Sequence, residues 1–167
     1  MNEELLVVPY DPAWAVLFEE ETLRLRRLIG EPLLELHHVG STAVPGLAAK
    51  PILDVMGVVR EITALDPLRA VFESGGWEWK GEFGIPGRRY LVKRDLQGIR
   101  SAHLHLFPSE HPEIARHLLF RDRLRARPEV AVEYARLKRD LAVRFRHDRE
   151  GYSGAKHAFI HSVLDLA

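Results

Sequence analysis

His38-Val39-Gly40-Ser41-Thr42-Ala43-Val44-Pro45-Gly46-Leu47-Ala48-Ala49-Lys50-Pro51-Ile52-Leu53-Asp54-Val55-Met56 is the stretch that decides how this chain folds. An apolar run delivers the backbone to a Gly-Ser turn. A small-residue segment with its own Pro-Gly follows, and a second apolar run then carries one carboxylate in its middle. From Pro51 to Val59 the residues are nearly all apolar, the pattern of a strand buried on both faces. Asp54 lies inside that run, where an unpaired charge would cost several kcal/mol. A bound metal or a cationic partner is therefore expected beside it.

Working outward, Leu33 to Val39 reads as the strand that leads into the turn. Upstream, Asp11-Pro12 is a helix start, and Trp14, Leu17, Phe18, Leu25 and Leu28 recur at helical spacing up to Gly30. Glu19, Glu20, Glu21, Arg24, Arg26 and Arg27 are expected to cover the wet face of that helix. Downstream, Asp66-Pro67 starts a second helix that stops at Gly75-Gly76, and Trp77 to Lys80 is a third strand. Tyr90 to Arg94 and Ser101 to Phe107 form a hairpin about Asp95-Leu96-Gln97-Gly98. From Glu113 onward three helices are expected, marked by Ile114 to Leu124, Val130 to Leu141 and Phe159 to Leu164.

The expected fold class is α+β, a mixed β-sheet of about four or five strands flanked by helices, with a mostly helical C-terminal part. A single domain over residues 1–167 is expected, its sheet core spanning about 5–108 and its helical tail about 111–166.

Composition narrows the function classes. Hydrophobic residues make up 46% and charged ones 29%, and the formal net charge of +0 gives no global pull toward nucleic acid or an anionic membrane. The absence of cysteine excludes disulfides, thiolate metal sites and a cysteine nucleophile. Met1-Asn2-Glu3-Glu4 does not read as a secretory signal, and no apolar run approaches the roughly 18 residues that cross a bilayer. A cytoplasmic enzyme or binding protein is expected, with a nucleotide or small anionic ligand as its partner.

The chemistry concentrates around the opening stretch. A turn whose N–H groups and serine hydroxyl face one spot can hold phosphate oxygens, which makes Gly40 and Ser41 candidate phosphate ligands. A carboxylate on the next strand, Asp54, can bind a divalent cation that bridges those phosphates. The alternative is that Gly40-Ser41 is a plain turn and that Asp54 pairs with a basic neighbour such as Lys50. His103 and His105 stand two apart in a strand, so both imidazoles face one side. With Asp54 they could form a two-histidine, one-carboxylate site for Zn²⁺, Mn²⁺ or Fe²⁺, or else act on phosphate or as acid and base. Lys50, next to the Asp54 strand, and Arg89, after the Gly84-Ile85-Pro86-Gly87 loop, are further candidate phosphate ligands. Arg116, Arg121, Arg123, Arg125 and Arg127 are expected to be mostly a solvated face.

The chain resembles the GrpB family, which is grouped with the nucleotidyltransferase superfamily. The residues that carry the likeness are His38 to Val55, Gly84-Ile85-Pro86-Gly87-Arg88-Arg89-Tyr90, His103-Leu104-His105-Leu106-Phe107, Phe120 to Arg125, and Lys156-His157-Ala158-Phe159-Ile160. They run through essentially the whole chain, from about Val7 to Leu164. The resemblance implies a nucleotidyltransferase-like sheet and a cleft for a nucleoside triphosphate. It singles out Arg121 and Lys156 among the basic residues, and Tyr152 shares a helical face with Lys156.

The superfamily pattern places two carboxylates one residue apart on the strand after the Gly-Ser turn. This chain has Asp54, but Met56 in the second position, and a thioether is a poor ligand for Mg²⁺. Two functions are therefore expected in competition. One is a metal-dependent nucleotidyltransferase moving a nucleoside monophosphate onto an acceptor. Its site would comprise Asp54, His103 and His105 as catalytic and metal residues, with Mg²⁺ or Mn²⁺, or Zn²⁺, as cofactor. Gly40, Ser41, Lys50, Arg89 and Lys156 would hold its nucleotide. The other is an inactive fold that binds a small ligand or a protein.

Overall fold

The structure is a computed structural model and describes residues 3–167; Met1 and Asn2 of the acidic start lie outside the described residues. Helix α1 (Ala13–Ile29) begins where the Asp11 carboxylate accepts the Ala13 N–H at 2.9 Å, and it stops at Gly30, whose φ of 73° suits glycine. Strands β1 (Leu33–Val39) and β2 (Leu53–Val59) follow, joined by a short 3₁₀ turn over Ser41–Ala43 and the strap that leads to Lys50. Then come helix α2 (Arg69–Ser74) and strands β3 (Trp77–Trp79), β4 (Arg89–Arg94) and β5 (Arg100–Pro108). Helices α3 (Pro112–Ala126), α4 (Pro128–Arg144), α5 (Arg149–Ala155) and α6 (His157–Leu164) complete the chain.

The five strands form one mixed sheet in the order β1-β2-β5-β4-β3. Strand β2 lies antiparallel to β1 and parallel to β5, while β4 is antiparallel to both β5 and β3. The α+β reading thus holds, and β2 is a deeply buried strand flanked on both sides by others, as its apolar run requires. The hairpin also forms where expected, with the Asp95 carboxylate accepting the N–H groups of Gln97 and Ile99 at 2.9 Å each.

Side-chain alternation gives the sheet two distinct faces. Val55, Leu104, Leu106 and Leu91 point to the side where Trp14 and Leu25 of α1 and Phe72 of α2 close the main core. Met56 and Phe107 point to the opposite side, against Ile114 and Leu118 of α3. Asp54, His103, His105 and Tyr90 share that second face by register, Asp54 beside His103 and Tyr90 beside His105. The helical tail closes over them only in part, which leaves a cleft.

Three expectations are corrected. The helix expected from Asp66-Pro67 is a 3₁₀ stretch over Ile62–Leu68, becoming α-helical from Arg69, because Pro67 has no N–H to give to the preceding turn. The tail has four helices, not three, since the last element breaks at Lys156 between α5 and α6. Glu21, expected on the wet face of α1, is 6% exposed and accepts Lys93 Nζ from β4 at 2.9 and 3.1 Å. Among the described residues no helix is long and apolar enough to cross a membrane.

Candidate functional site

Gly40 ends β1 with φ of 70° and ψ of −171°, a conformation open essentially to glycine alone. The sharp bend turns the chain into the Ser41–Ala43 turn and brings it against β2. His38, just before it, is 9% exposed, stacks on Phe18 of α1 at 4.7 Å, and shares a 2.9 Å hydrogen bond with the Thr42 hydroxyl. Burial lowers its pKa to about 4, so the ring is neutral at physiological pH and serves the turn as a structural brace.

Helix α3 braces the same turn from outside. Arg121 donates to the His38 carbonyl at 3.2 Å and Arg125 to the Ala43 carbonyl at 2.9 Å, so two guanidinium groups bracket the bend. Arg123 reaches the Val163 carbonyl at 2.7 Å and so ties α3 to α6. The expectation of a solvated arginine face is corrected for Arg123 and Arg125, whereas the family resemblance sets Arg121 apart from that face. Sequence spacing alone could not show it, because the acceptors are backbone carbonyls of distant segments.

Asp54 faces the bend with its side chain 32% exposed. His105 Nε2 lies 3.3 Å and His103 Nδ1 3.4 Å from the same carboxylate oxygen, Oδ1. Burial pushes the Asp54 carboxyl up, but the hydrogen bonds and charge of the two imidazoles outweigh it and hold the group well below the usual carboxylate range. The ionised acid expected inside an apolar strand therefore exists, and its partners are the two strand histidines.

Both imidazoles converge on one oxygen of Asp54, and among the described residues no set of three His, Cys, Asp or Glu side chains is arranged to hold a metal ion. Met56, where a second carboxylate would complete the pair, is 0% exposed and packed with Val39 and Phe107 beneath α3. An ionised side chain there would cost several kcal/mol of desolvation. The donor set does not fit a divalent cation of the Mg²⁺ or Mn²⁺ kind, which wants several oxygens.

What crowds the cleft instead is positive charge. One lobe, about 510 Å³, is walled by Ser41, Asp54, Tyr152 and the three lysines Lys50, Lys138 and Lys156. Lys50 Nζ and Lys156 Nζ lie 4.7 and 4.5 Å from the centroid of the same Tyr152 ring. Lys138 is 2% exposed, donates to the Ala48 carbonyl at 2.5 Å and sits 4.7 Å over the Tyr134 ring. Burial first lowers all three pKa values, to about 7 for Lys50, about 6 for Lys138 and about 8 for Lys156; the charge of Lys156 adds to the lowering at Lys50 and Lys138, while Asp54 partly offsets it at Lys156. Arg100 and Arg149 add two guanidinium groups to the wall.

The second lobe, about 520 Å³, opens on the other side of the carboxylate and is lined by imidazoles, His105, His117, His157 and His161 among them. Ser41, Asp54 and Lys156 line both lobes, so the acid stands at the waist of a two-part cleft. The sequence reading brought Gly40, Ser41, Lys50, Asp54, His103, His105 and Lys156 to one place, and the structure puts all seven at the cleft. Arg89 is elsewhere: it points to the opposite sheet face and pairs with Asp66 at 2.7 and 3.1 Å. Arg88 is the arginine that reaches the histidine lobe, holding the preceding loop through the Glu82 and Phe83 carbonyls. Lys138, Arg100, Arg149 and Tyr90 were not singled out as site residues, since nothing in their spacing ties α4, α5, β4 or the first residue of β5 to the Gly-Ser turn.

The mixed sheet that carries the Gly-Ser turn and the acid at the mouth of the cleft has a nucleotidyltransferase-like fold. The MgGTP-bound Cid1 poly(U) polymerase has this fold, with a TM-score of 0.56 over 83% of this chain and 45% of that chain, at 16% identity. The chain belongs to the GrpB family, whose model, described as GrpB protein, matches residues 4–166. The crystal structure of conserved protein GrpB from Enterococcus faecalis is similar at 42% identity with a TM-score of 0.89, covering 95% of this chain and 94% of that one. The UPF0157 protein YqkA of Bacillus subtilis is 41% identical over 161 residues, 96% of this chain, which spans 46% of that relative's length.

Proposed function

We propose that this protein binds a nucleoside triphosphate in the cleft and transfers its nucleoside monophosphate to a small acceptor. The observation that carries the reading is the convergence of three lysines, the Gly40-Ser41 turn and Asp54 on one cavity. The lysine lobe suits the phosphate chain, and the histidine lobe suits the acceptor. The waist between them, at Asp54, is where the reacting phosphorus would lie. A cavity of this size admits a nucleotide.

In this reading Asp54 holds an imidazole, His105 or His103, in the orientation that takes a proton from the acceptor hydroxyl. The acceptor oxygen bonds to the α-phosphorus, the bond to the β-phosphate oxygen breaks, and pyrophosphate leaves. Lys50, Lys138 and Lys156 offset the charge that develops on that leaving group. No step is drawn through a divalent cation, because the donor set does not fit one. The test is pyrophosphate release from a panel of nucleoside triphosphates and hydroxyl-bearing metabolites. The expected result is turnover that Asp54→Asn abolishes.

The buried Met56 favours a second reading, a nucleotidyltransferase fold that binds its ligand without transfer. It predicts thermal stabilisation by nucleotide with no pyrophosphate released from any pair in the panel.

A further inference from the structure

Three lysines converge on the first lobe of the cleft, and their surroundings say what they would hold. Lys50 arrives on the strap before β2, Lys138 projects from α4, and Lys156 closes α5. Arg100 comes from β5 and Arg149 from α5. Against these five basic side chains the lobe sets two carboxylates, Asp54 and Glu150. Asp54 already receives two imidazoles, and Glu150 is solvent-exposed. Arg149 has its own partner in Glu3 at 3.3 Å. Among the described residues the lysines have no ion pair of that kind: Lys138 meets a carbonyl and a ring, and Lys50 and Lys156 both lie over the Tyr152 ring.

We propose that the lysine lobe binds a polyphosphate chain in its metal-free form, with Lys50, Lys138 and Lys156 supplying the countercharge that a bridging divalent cation supplies elsewhere. The inference rests on the nucleotide reading above and deepens it. Each ammonium brings three N–H donors on a flexible stem, which suits a chain of phosphate oxygens. A divalent cation riding on the phosphates would enter a lobe lined by two guanidinium groups and three amines, whose carboxylates are Asp54, already engaged by two imidazoles, and the solvent-exposed Glu150. Coulomb repulsion over a few ångströms in a half-buried cavity opposes that entry. Burial of the lysines adds to the argument, because an ammonium group kept from water gains more from an arriving anion than an exposed one does. The lobe's basic groups repel one another, and a polyanion relieves that repulsion.

Isothermal titration of the full chain with ATP and with tripolyphosphate, in EDTA and in excess Mg²⁺ at matched ionic strength, tests this. Both ligands are expected to bind in EDTA, and excess Mg²⁺ to weaken each about tenfold. Lys50→Met and Lys156→Met are each expected to weaken binding in EDTA by about tenfold or more. Lys156 is only half-buried, so its variant retains the fold even if the others do not, and circular dichroism verifies that. Binding that requires Mg²⁺ overturns the inference while leaving the nucleotide reading in place. So does native affinity in both folded lysine variants. Tripolyphosphate binding without ATP binding upholds the phosphate lobe and overturns the nucleoside part of the proposed function. No heat with either ligand in either medium overturns both.

Discussion

A Cβ atom added at Gly40 would stand 2.6 Å from Oδ2 of Asp54 and 3.0 Å from its Cβ. The bend and the acid are therefore in van der Waals contact, and two separate constraints select glycine. The backbone dihedrals exclude other residues, and the carboxylate leaves no room for a methyl group. Gly40→Ala is expected to destabilise the protein by about 1–3 kcal/mol from backbone strain alone. It must also push Asp54 off its two imidazoles. Urea denaturation measures the first effect and nucleotide titration the second; a variant as stable as the parent with unchanged binding contradicts both.

That contact also shows how far the sequence could be read. The strand before the bend, the apolar strand after it and the carboxylate within were legible, because period and punctuation are local properties. The side of the sheet on which a side chain meets its partner was legible too for His103 and His105, two residues apart on one strand. Arg89 escaped because the loop before β4 gives no register, and a slip of one residue reverses the face. Lys138 escaped for a different reason. Within α4 it looks like one more cation on an amphipathic helix, and nothing local shows that its Nζ ends on the Ala48 carbonyl.

The exchange of faces between Arg88 and Arg89 gives a paired prediction. Arg89 and Asp66 form a bidentate pair on the far face, with Asp66 half-exposed, and the contact lowers the Asp66 pKa. Arg89→Met is expected to cost at most about 1 kcal/mol and to leave nucleotide affinity unchanged. Arg88 is 7% exposed and holds two carbonyls of the 82–88 loop while touching His105 at 3.4 Å. Arg88→Met is expected to cost about 1–3 kcal/mol by orphaning those groups and to impair ligand binding through His105. Thermal melts and titration of the two variants side by side decide it. Loss of affinity in Arg89→Met with none in Arg88→Met would reverse the assignment.

Glu21 and Lys93 tie α1 to β4 beneath the main core, where the acid is 6% exposed. Lys93 Nζ also lies 5.3 Å over the Trp77 ring, so the amine is held from two sides. Removing the acid leaves that amine inside the protein with the ring alone. Glu21→Ala is expected to cost about 1–3 kcal/mol, more than the effect of Arg24→Ala beside it on the solvated side of the pair. Chemical denaturation reads both, and equal small losses would show that water reaches the amine freely.

The lysine lobe makes stability depend on pH in a window where few other groups titrate. Folding lowers the pKa of Lys138 to about 6, of Lys50 to about 7 and of Lys156 to about 8, from a value of 10.5. Between those values the unfolded chain binds more protons than the folded one, so stability rises with pH. His38, lowered to about 4, and His117, also lowered, are neutral in both states above about pH 7 and add no slope there. The midpoint of thermal unfolding is therefore expected to climb between about pH 7 and 9 at constant ionic strength. Lys50→Met is expected to flatten that climb. A polyanion reverses the sign, because it favours the ammonium form. Its stabilising effect is greatest at the acid end of the window and fades toward pH 9, and its binding takes up protons, visible as a binding heat that varies with the ionisation enthalpy of the buffer. A flat melting profile from pH 7 to 9, with a binding heat independent of buffer, would mean that the three amines stay charged in the folded protein, and that water or anions already reach them.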